Sequence, residues 1–315
     1  MNENLISIII PTFNCGNTLS KTINTLLSQS IKSIEIVIID NNSTDNTENL
    51  IYNFQKEYNN IKYIKNNNNY GPGIARNTGI LNSKGNYICF LDSDDWIDLY
   101  AFEIALDTFN KNPNCDLVIW GIKNEFNNLY STNVRLSYNN LNKITKDIAM
   151  GLLCNSWSLD IKLSSYLGNK MFKRELIEKT GFFDKYVFED AEFSFKAISQ
   201  SNEIILLPNL YTHYFQREQS IIHSFSQKYI DDAFDLFKNL EKYVSNFPQY
   251  YKDFCSLIEK VTKTLFNIMF ERIINVEEQK KYTTYYFEKL LQFTTLKEII
   301  NYLDIDRIKK IIINN

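Results

Sequence analysis

Short apolar runs alternate with helical patterns along the first hundred residues of the chain. Residues 6–10 form a β-branched run that ends at Pro11, which is typical of a buried strand. Residues 19–27 carry Leu and Ile at positions i, i+4, i+7 and i+8, a spacing that predicts an amphipathic helix. Similar patterns predict strands at residues 34–39, 61–64 and 87–91. Strands that alternate with helices across short loops predict an α/β fold, with a mainly parallel sheet covered on both faces.

The pattern changes near residue 226, after which apolar residues keep a helical spacing. We therefore predict an α/β domain over residues 1–225 and a helical C-terminal region over residues 226–315. Wide apolar helix faces usually pack within the chain or against a second copy in a homodimer. The alternative is peripheral membrane contact, because three basic residues lie among isoleucines near the end. These residues are Arg307, Lys309 and Lys310.

Composition limits the classes of protein that remain. A net charge of −3 provides no global positive field, so nucleic acid is not an expected partner. No apolar run reaches the ~18 residues of a spanning helix, and the first residues lack a signal-peptide pattern. The five cysteines are scattered without a CxxC pair, which favours buried reduced thiols. These features predict a cytoplasmic protein.

Polar segments follow three of the predicted strands, at the edge where ligands bind in open α/β sheets. They are residues 11–14, 40–43 and 92–95. Asp92 and Asp94 are two residues apart, so they point to the same side if the strand continues. Two such carboxylates repel each other unless a cation lies nearby, and oxygen ligands favour Mg²⁺ or Mn²⁺. The alternative is an acidic turn in which Asp95 caps the next helix.

A glycine-rich turn, Gly71-Pro72-Gly73, precedes a helix that we expect to start near Ile74. Helix N-termini and glycine backbone can bind phosphate, and Arg76 could add a positive charge. The segment matches neither the GxGxxG pattern of dinucleotide-binding folds nor the P-loop pattern. A tight loop with Arg76 in a surface ion pair is the alternative interpretation.

Taken together, these segments resemble the family 2 glycosyltransferases of the GT-A fold, over about residues 5–222. The resemblance is specific because several segments occur together in the family's order and spacing. They are Ile8-Ile9-Ile10-Pro11-Thr12-Phe13-Asn14, Ile38-Ile39-Asp40-Asn41-Asn42-Ser43-Thr44-Asp45, Gly71 through Arg76-Asn77-Thr78-Gly79, Gly85-Asn86-Tyr87-Ile88-Cys89-Phe90-Leu91-Asp92-Ser93-Asp94-Asp95, Asn169-Lys170-Met171-Phe172-Lys173-Arg174, Phe182-Phe183-Asp184 and Phe188-Glu189-Asp190-Ala191-Glu192-Phe193. The helical tail is not covered.

The resemblance implies a nucleotide-sugar donor, most often a UDP-sugar, and inversion at the anomeric carbon. By position, Asp40 faces uracil, Asp92 lies near the ribose or an outer metal shell, and Asp94 binds Mn²⁺ or Mg²⁺. Such a cation neutralises the diphosphate leaving group. Asn41 stands where the family often has a second acid, which we expect to loosen the base preference. The donor-binding residues so implied are Pro11, Thr12, Phe13, Asn14, Asp40, Asn42, Arg76, Asp92, Ser93, Arg217 and Ser220.

The resemblance also implies a catalytic base. An inverting transfer needs a carboxylate that takes the proton from the acceptor hydroxyl, opposite the leaving group. In the Glu189-Asp190 pair the second residue has this role in the family, so Asp190 is the predicted base. Glu189 and Glu192 are the other candidates. A helix N-terminus that carries favourable acids is the alternative interpretation.

His213 follows in a segment where some members of the family place a third metal ligand. Since a histidine between aromatic residues is otherwise a structural hydrogen-bonding group, both roles stay open. Arg217 and Ser220 are predicted to clamp the diphosphate as a loop closes over it.

The predicted function is therefore metal-dependent, inverting transfer of a hexose or N-acetylhexosamine from a UDP-sugar to an oligosaccharide or lipid-linked glycan acceptor. The expected pathway builds bacterial surface polysaccharide, capsule, lipooligosaccharide or glycoprotein glycan, in the cytoplasm or on the inner face of the plasma membrane. The alternative is a non-catalytic subunit that binds nucleotide sugar or glycan, although Asp92, Asp94 and Asp190 are all present. A sugar-phosphate nucleotidyltransferase is disfavoured, because no glycine- and arginine-rich loop follows the first strand.

Overall fold

The computed structural model describes residues 4–126, 129–131, 142–155, 163–185, 187–215 and 225–292. These residues form two compact units. The first takes the described residues of Met1–Ala149, Ser164–Lys185 and Glu189–Gln216. The second takes those of Met150–Leu163, Tyr186–Phe188 and Arg217–Asn315.

The described strands and helices have the following bounds. The strands are β1 (Ile6–Thr12), β2 (Ile34–Asp40), β3 (Ile61–Lys65), β4 (Tyr87–Phe90), β5 (Trp96–Ile97), β6 (Cys115–Phe126), β7 (Leu129–Ser131), β8 (Asn142–Ile144), β9 (Lys170–Lys173) and β10 (Glu203–Phe215). The helices are α1 (Leu19–Leu27), α2 (Thr47–Glu57), α3 (Pro72–Asn82), α4 (Ala101–Lys111), α5 (Lys146–Cys154), α6 (Arg174–Thr180), α7 (Glu189–Gln200), α8 (Gln227–Val244), α9 (Tyr251–Arg272) and α10 (Val276–Gln292), with a 3₁₀ turn (Pro248–Tyr250) between α8 and α9.

The strands form one mixed sheet in the order β3-β2-β1-β4-β9-β6-β10-β5, with β7 beside β6 and β8 beside β10. The pairs β1–β2, β1–β4, β2–β3 and β6–β10 are parallel. β9 runs antiparallel between β4 and β6, so β1, β2, β3, β4, β6 and β10 all point the same way. The predicted α/β fold with a mainly parallel sheet is confirmed.

β1 is buried along its whole length because β2 and β4 flank it within the sheet and side chains cover both of its faces. A strand covered on both faces has no solvent side, which explains its continuous apolar run. α1 adds Leu19, Ile23 and Leu26 to the same core, as its spacing predicts.

Pro11 does not end β1, contrary to the prediction. The pairing of β1 with β4 stops at Ile9 opposite Phe90, whereas the pairing with β2 continues to Thr12. The Thr12 carbonyl accepts a hydrogen bond from the Asn41 N–H at 2.8 Å, so it faces the β2 side. The backbone polar groups of successive strand residues face opposite neighbours, and those of Pro11 therefore face the side where β4 has ended. The missing N–H of Pro11 therefore removes no ladder hydrogen bond.

α3 begins at Pro72, two residues before the predicted start at Ile74. Proline suits the first turn of a helix, because its fixed φ is helical and its missing N–H has no partner there. The preceding Gly71 has a φ of +84°, a conformation that strongly favours glycine.

The second unit contains α8, α9 and α10, where the sequence predicts a helical region. Phe234 on α8 and Phe266 on α9 both contact the buried ring of Tyr286 on α10, with centroid distances of 5.3 and 5.1 Å. The Tyr286 hydroxyl lies 2.5 Å from the Thr262 hydroxyl, which satisfies its polar end. None of the helices in the described ranges is long and apolar enough to cross a bilayer. The predicted basic cluster near the end, Arg307, Lys309 and Lys310, lies outside the described residues.

The close packing of α3 on β1 predicts a stability effect at Gly79. A Cβ added to this glycine would lie 2.3 Å from Cγ2 of Ile9 in the buried strand. Overpacking of this kind costs about 1–3 kcal/mol, against ~1 kcal/mol of helix preference for Ala over Gly. The difference is about 0–2 kcal/mol, so we expect Gly79→Ala to lower the free energy of unfolding by about 1 kcal/mol in denaturant titrations. Leu81→Ala, at an exposed position of the same helix, is the control and should stay within about 0.5 kcal/mol of wild type. A Gly79→Ala protein as stable as the control would contradict this packing.

Candidate active site

The loops after β1 and β2 are tied to each other by hydrogen bonds. The Asn14 N–H donates to the Ser43 hydroxyl at 2.9 Å, and the Thr44 N–H donates to the Asn14 side-chain oxygen at 2.8 Å. Asn14 and Asn42 have φ angles of +48° and +65°, which asparagine tolerates better than most residues. These bonds hold the two loops, which carry the predicted donor-binding positions Asn14 and Asn42, next to each other at the edge of the sheet.

Asp40 lies fully buried at the end of β2, and its carboxylate holds the loop that follows. One oxygen accepts from the N–H and the hydroxyl of Ser43 at 2.8 and 2.6 Å, and the other accepts from the Tyr63 hydroxyl at 2.9 Å. Burial and the hydrogen bond to Asp40 raise the pKa of Tyr63. All of these described contacts are within the protein, and the predicted contact of Asp40 with uracil stays a prediction.

The acidic segment after β4 is a turn, so the condition under which Asp92 and Asp94 would point to the same side of a continuing strand is not met. β4 ends at Phe90, and the Asp95 N–H donates to the Asp92 carbonyl at 3.1 Å. α1 supports this turn, because the Thr18 hydroxyl donates to the Ser93 carbonyl at 3.2 Å. Asp92, Ser93 and Asp94 are half-buried at this sheet edge.

Asp95 does not cap a helix, contrary to the alternative that the sequence left open. It is fully buried, and its carboxylate accepts from the Phe215 N–H at 2.8 Å and from the Tyr166 hydroxyl. Burial, together with the negative charges of Asp92 and Asp94, raises the pKa of Asp95 well above its ordinary value. Asp95 thus anchors the acidic turn to two other parts of the unit.

Arg76 joins the acidic turn to the start of α7. One guanidinium nitrogen lies 2.7 Å from a Glu189 carboxylate oxygen, and another lies 3.0 Å from an Asp92 oxygen. The side chain is almost fully buried, so the pair is not the surface ion pair that the sequence left open. Although burial opposes it, the charges of Asp92, Glu189 and Asp190 raise the pKa of Arg76. Arg76 therefore stays positive and balances carboxylates on both sides.

α3 also fixes the backbone that leads toward α7. The Asn77 side chain donates to the Phe183 carbonyl and accepts from the Phe183 N–H, both at 2.8 Å. Gly73 permits the approach, because an added Cβ would lie 2.5 Å from the Asp184 carbonyl oxygen and 3.1 Å from Glu189 Cγ.

The three candidate bases on α7 have different surroundings. Glu189 is buried against Arg76, and Glu192 is buried in an ion pair with Lys196. Asp190 is half-buried and accepts a hydrogen bond from the Ser165 hydroxyl at 3.0 Å. Within the described ranges Asp190 forms no salt bridge. Asp190 therefore differs from both neighbours, because its partner in these contacts is a neutral hydroxyl and not a cation.

Burial raises the pKa of Glu189 to about 7, while Arg76 opposes the shift and the charge of Asp190 adds to it. Glu189 is thus the carboxyl of this pair that can carry a proton near neutral pH.

His213 lies on β10 between two carboxylates. Its Nδ1 is 2.6 Å from Glu125 and its Nε2 is 2.8 Å from Asp98, while its ring stacks on Trp96 at a centroid distance of 5.2 Å. Because both nitrogens are engaged, these contacts favour the structural role of His213 over the metal role. Arg217 and Ser220 lie outside the described residues.

The predicted metal ligands Asp92 and Asp94 provide carboxylate oxygens, the donor type that Mg²⁺ and Mn²⁺ prefer. In the described part of the chain, no cluster of three or more His, Cys, Asp or Glu side chains is arranged to hold a metal ion. The metal role of Asp92 and Asp94 stays a prediction.

Several residues that organise this site have no site role in the sequence analysis, where Asp95 appears only as the possible cap of a helix. They are Tyr63, Asp95, Ser165, Tyr166 and Lys170. Lys170 belongs to a segment that carries the family resemblance. Because lysine is rarely buried, a lysine at the start of an apolar strand could have indicated a role for this residue. The other four act through contacts between residues far apart in the chain, which no local pattern reports.

Comparison with known proteins assigns the class. The profile of Glycosyl transferase family 2 matches residues 7–181, more than half of the chain, and the chain belongs to this family. The family prediction is confirmed. Asp190 and His213 lie beyond the matched range.

The curated relatives include Glycosyltransferase GlyA of Streptococcus pneumoniae, 27% identical over 74% of this chain and 34% of GlyA. They also include the poly(ribitol-phosphate) beta-N-acetylglucosaminyltransferase TarP of Staphylococcus aureus, 42% identical over 36% of this chain and 35% of TarP. The chain thus spans about a third of the length of these relatives.

The fold has a close counterpart among solved structures. The structure of S. aureus TarS residues 1–349 with UDP-GlcNAc superposes with a TM-score of 0.61 over 92% of this chain and 74% of that one. The sequence identity is 18%, so this likeness is one of fold.

The raised pKa of Glu189 predicts a pH-dependent stability difference. Between pH about 4.5 and about 7 the folded protein keeps a proton on Glu189 that the unfolded chain has lost, so stability falls as the pH rises. We expect the free energy of unfolding of the wild type, relative to Glu189→Gln, to fall by up to about 3 kcal/mol across this window. Denaturant titrations at several pH values measure it. Glu175→Gln, at an exposed position on α6, should run parallel to the wild type. If the free energy of unfolding of Glu189→Gln runs parallel to that of the wild type across these pH values, the raised pKa of Glu189 is contradicted.

Proposed function

We propose that this protein is a metal-dependent inverting glycosyltransferase that moves a hexose or N-acetylhexosamine from a UDP-sugar to a glycan acceptor. The observation that carries the proposal is the buried Arg76, which contacts Asp92 in the acidic turn and Glu189 beside Asp190. One guanidinium thereby links the predicted donor side to the predicted base. Membership of Glycosyl transferase family 2 supports the reaction class.

On the donor side, we assign the nucleoside to the ends of β1 and β2 and the loops that follow them. Pro11 and Thr12 end β1, and Phe13 and Asn14 begin the loop after it. Phe13 is 45% exposed although it is a large apolar side chain, which leaves its ring accessible to a base. Asp40 ends β2 and orders the following loop, which contains Asn42, through Ser43.

We propose that Asp94 binds Mn²⁺ or Mg²⁺, with Asp92 and Ser93 beside it. A divalent cation supplies charge neutralisation for the departing diphosphate when it is bound. We assign Asp94 as the metal ligand of this turn, the position that the family resemblance implies.

Asp190 is the proposed base. It takes the proton from the acceptor hydroxyl as that oxygen bonds to the anomeric carbon, and the bond from this carbon to the diphosphate oxygen breaks on the opposite face. Glu189, neutralised by Arg76, keeps the pair from carrying two uncompensated charges. Ser165 stabilises one orientation of the Asp190 carboxylate.

The acceptor follows by analogy with the relatives. TarP is named for transfer to poly(ribitol-phosphate), a polyol-phosphate polymer. We propose an oligosaccharide, polymer or lipid-linked glycan of the bacterial surface as acceptor, with synthesis on the cytoplasmic side of the membrane.

The donor site predicts metal-dependent binding of UDP. We expect calorimetric titration with Mn²⁺ to give binding of UDP in preference to GDP and dTDP, and to lose at least about 10-fold in affinity with EDTA or in Asp94→Ala. Asp107→Ala, which removes an exposed carboxylate on α4, is the matched control and should bind as the wild type does. Absence of nucleotide binding under every metal condition would contradict the transferase and favour a glycan-binding subunit.

The assignment of Asp190 as the base predicts that its substitution affects turnover and not the binding of UDP. We expect Asp190→Asn to keep the UDP affinity within about 2-fold while UDP release from a panel of UDP-sugars falls by about 10²-fold or more, as for loss of a general base. A coupled assay for free UDP, with water or added glycans as acceptor, measures the turnover. An Asp190→Asn protein of normal activity, alongside an inactive Glu189→Gln, would move the base to Glu189.

A further inference from the structure

A buried lysine organises the segment that leads into β9. Lys170 is 1% exposed, and its ammonium group donates to the Ser164 carbonyl at 2.8 Å, to the Asn169 side-chain oxygen at 2.9 Å and to the Tyr166 carbonyl. Burying an ammonium group is costly unless its donors are satisfied. Here three acceptors from residues 164–169 satisfy them, so the charge stabilises one conformation of this segment. The two carbonyls that it binds flank Ser165.

Ser165 makes two hydrogen bonds to the first turns of α7. Its hydroxyl donates to an Asp190 carboxylate oxygen at 3.0 Å, and its carbonyl accepts from the Ser194 hydroxyl at 2.9 Å. Asp190 and Ser194 are four residues apart on one helix, so they lie on the same face. Two bonds to one face hold both the position of Ser165 and the direction of its hydroxyl.

The next residue ties the same segment to the acidic turn. The Tyr166 hydroxyl donates to the buried carboxylate of Asp95, next to Asp94. Gly168 makes room for this ring, because an added Cβ would lie 2.1 Å from the Tyr166 hydroxyl oxygen. Consecutive side chains of one segment therefore contact the proposed base and the residue that anchors the proposed metal-binding turn.

We propose that residues 164–170 are a positioning element for catalysis, in which Ser165 orients the Asp190 carboxylate toward the acceptor and the buried Lys170 holds Ser165 in place. This inference rests on the proposed function, since it assigns Asp190 as the base. Ser165 and Lys170 act through Asp190 and need no contact with the substrate.

The test separates turnover from binding and from stability. We expect Ser165→Ala to lower kcat for UDP release about 10- to 100-fold, the range expected for a lost hydrogen bond to a charged group, while the Kd of UDP stays within about 2-fold. Ser165→Thr keeps the hydroxyl and should restore kcat to within about 3-fold of wild type. The assay uses whichever UDP-sugar of the panel the wild type turns over.

Ser201→Ala is the control, because it also removes a serine hydroxyl that donates a hydrogen bond. The acceptor here is the Ala197 carbonyl at 2.9 Å, so Asp190 is not touched. Its kcat should equal that of the wild type, and its thermal unfolding shift should resemble that of Ser165→Ala. Lys170→Met should lower kcat as Ser165→Ala does. The kcat of the double variant should be no lower than that of Lys170→Met, since both changes act through the contact of Ser165 with Asp190. Should Lys170→Met fail to fold, the Ser165 variants decide.

Two outcomes would overturn the inference in different ways. If Asp190→Asn is inactive while Ser165→Ala has full kcat, the positioning role is wrong and the proposed function stands. The same conclusion follows if Ser165→Ala loses UDP affinity in parallel with its stability. If the wild type and Asp190→Asn release UDP equally well, the assignment of Asp190 as the base and the positioning role are both wrong, because Ser165 then holds no catalytic group.

Discussion

The buried guanidinium of Arg76 is the interaction on which the rest of the candidate site depends. A charge this deep in the protein is tolerated only when it is paired, and its two partners come from different parts of the chain. Asp92 belongs to the turn after β4, and Glu189 opens α7. Since Arg76 contacts both, the acidic turn and the start of α7 cannot move independently without leaving a buried charge unpaired.

A second layer of buried polar groups supports this centre. Asp95 accepts from Tyr166 and from the end of β10, while Lys170 satisfies its donors within residues 164–169. These contacts cost desolvation and add little net stability, but each allows few geometries. Their concentration around Asp92, Asp94 and Asp190 is what a catalytic site requires, because orientation of the reacting groups contributes much of the rate.

Local patterns in the sequence predicted the first half of the sheet well. β1, β2, β3 and β4 lie where apolar runs predict strands. In β1, β2 and β4 the runs are nearly continuous because almost every residue is buried. The exceptions have local causes. Pro11 stays within β1 because β4 has already ended beside it, and the turn at Asp92–Asp95 begins because β4 stops at Phe90. Both depend on the length of a neighbouring strand, which a single segment does not encode.

The sequence by itself determined the α/β fold, the family and the chemistry of the candidate residues, since periodicity, composition and motif order are properties of the chain. Only the tertiary structure decided their partners. Arg76 contacts carboxylates, His213 is held between Glu125 and Asp98, and Asp190 is bound by Ser165 rather than by a cation among the described residues. These pairings join residues up to 115 positions apart. The charge, burial and orientation of each group depend on such contacts, which exist only once the sheet has brought distant loops to one edge.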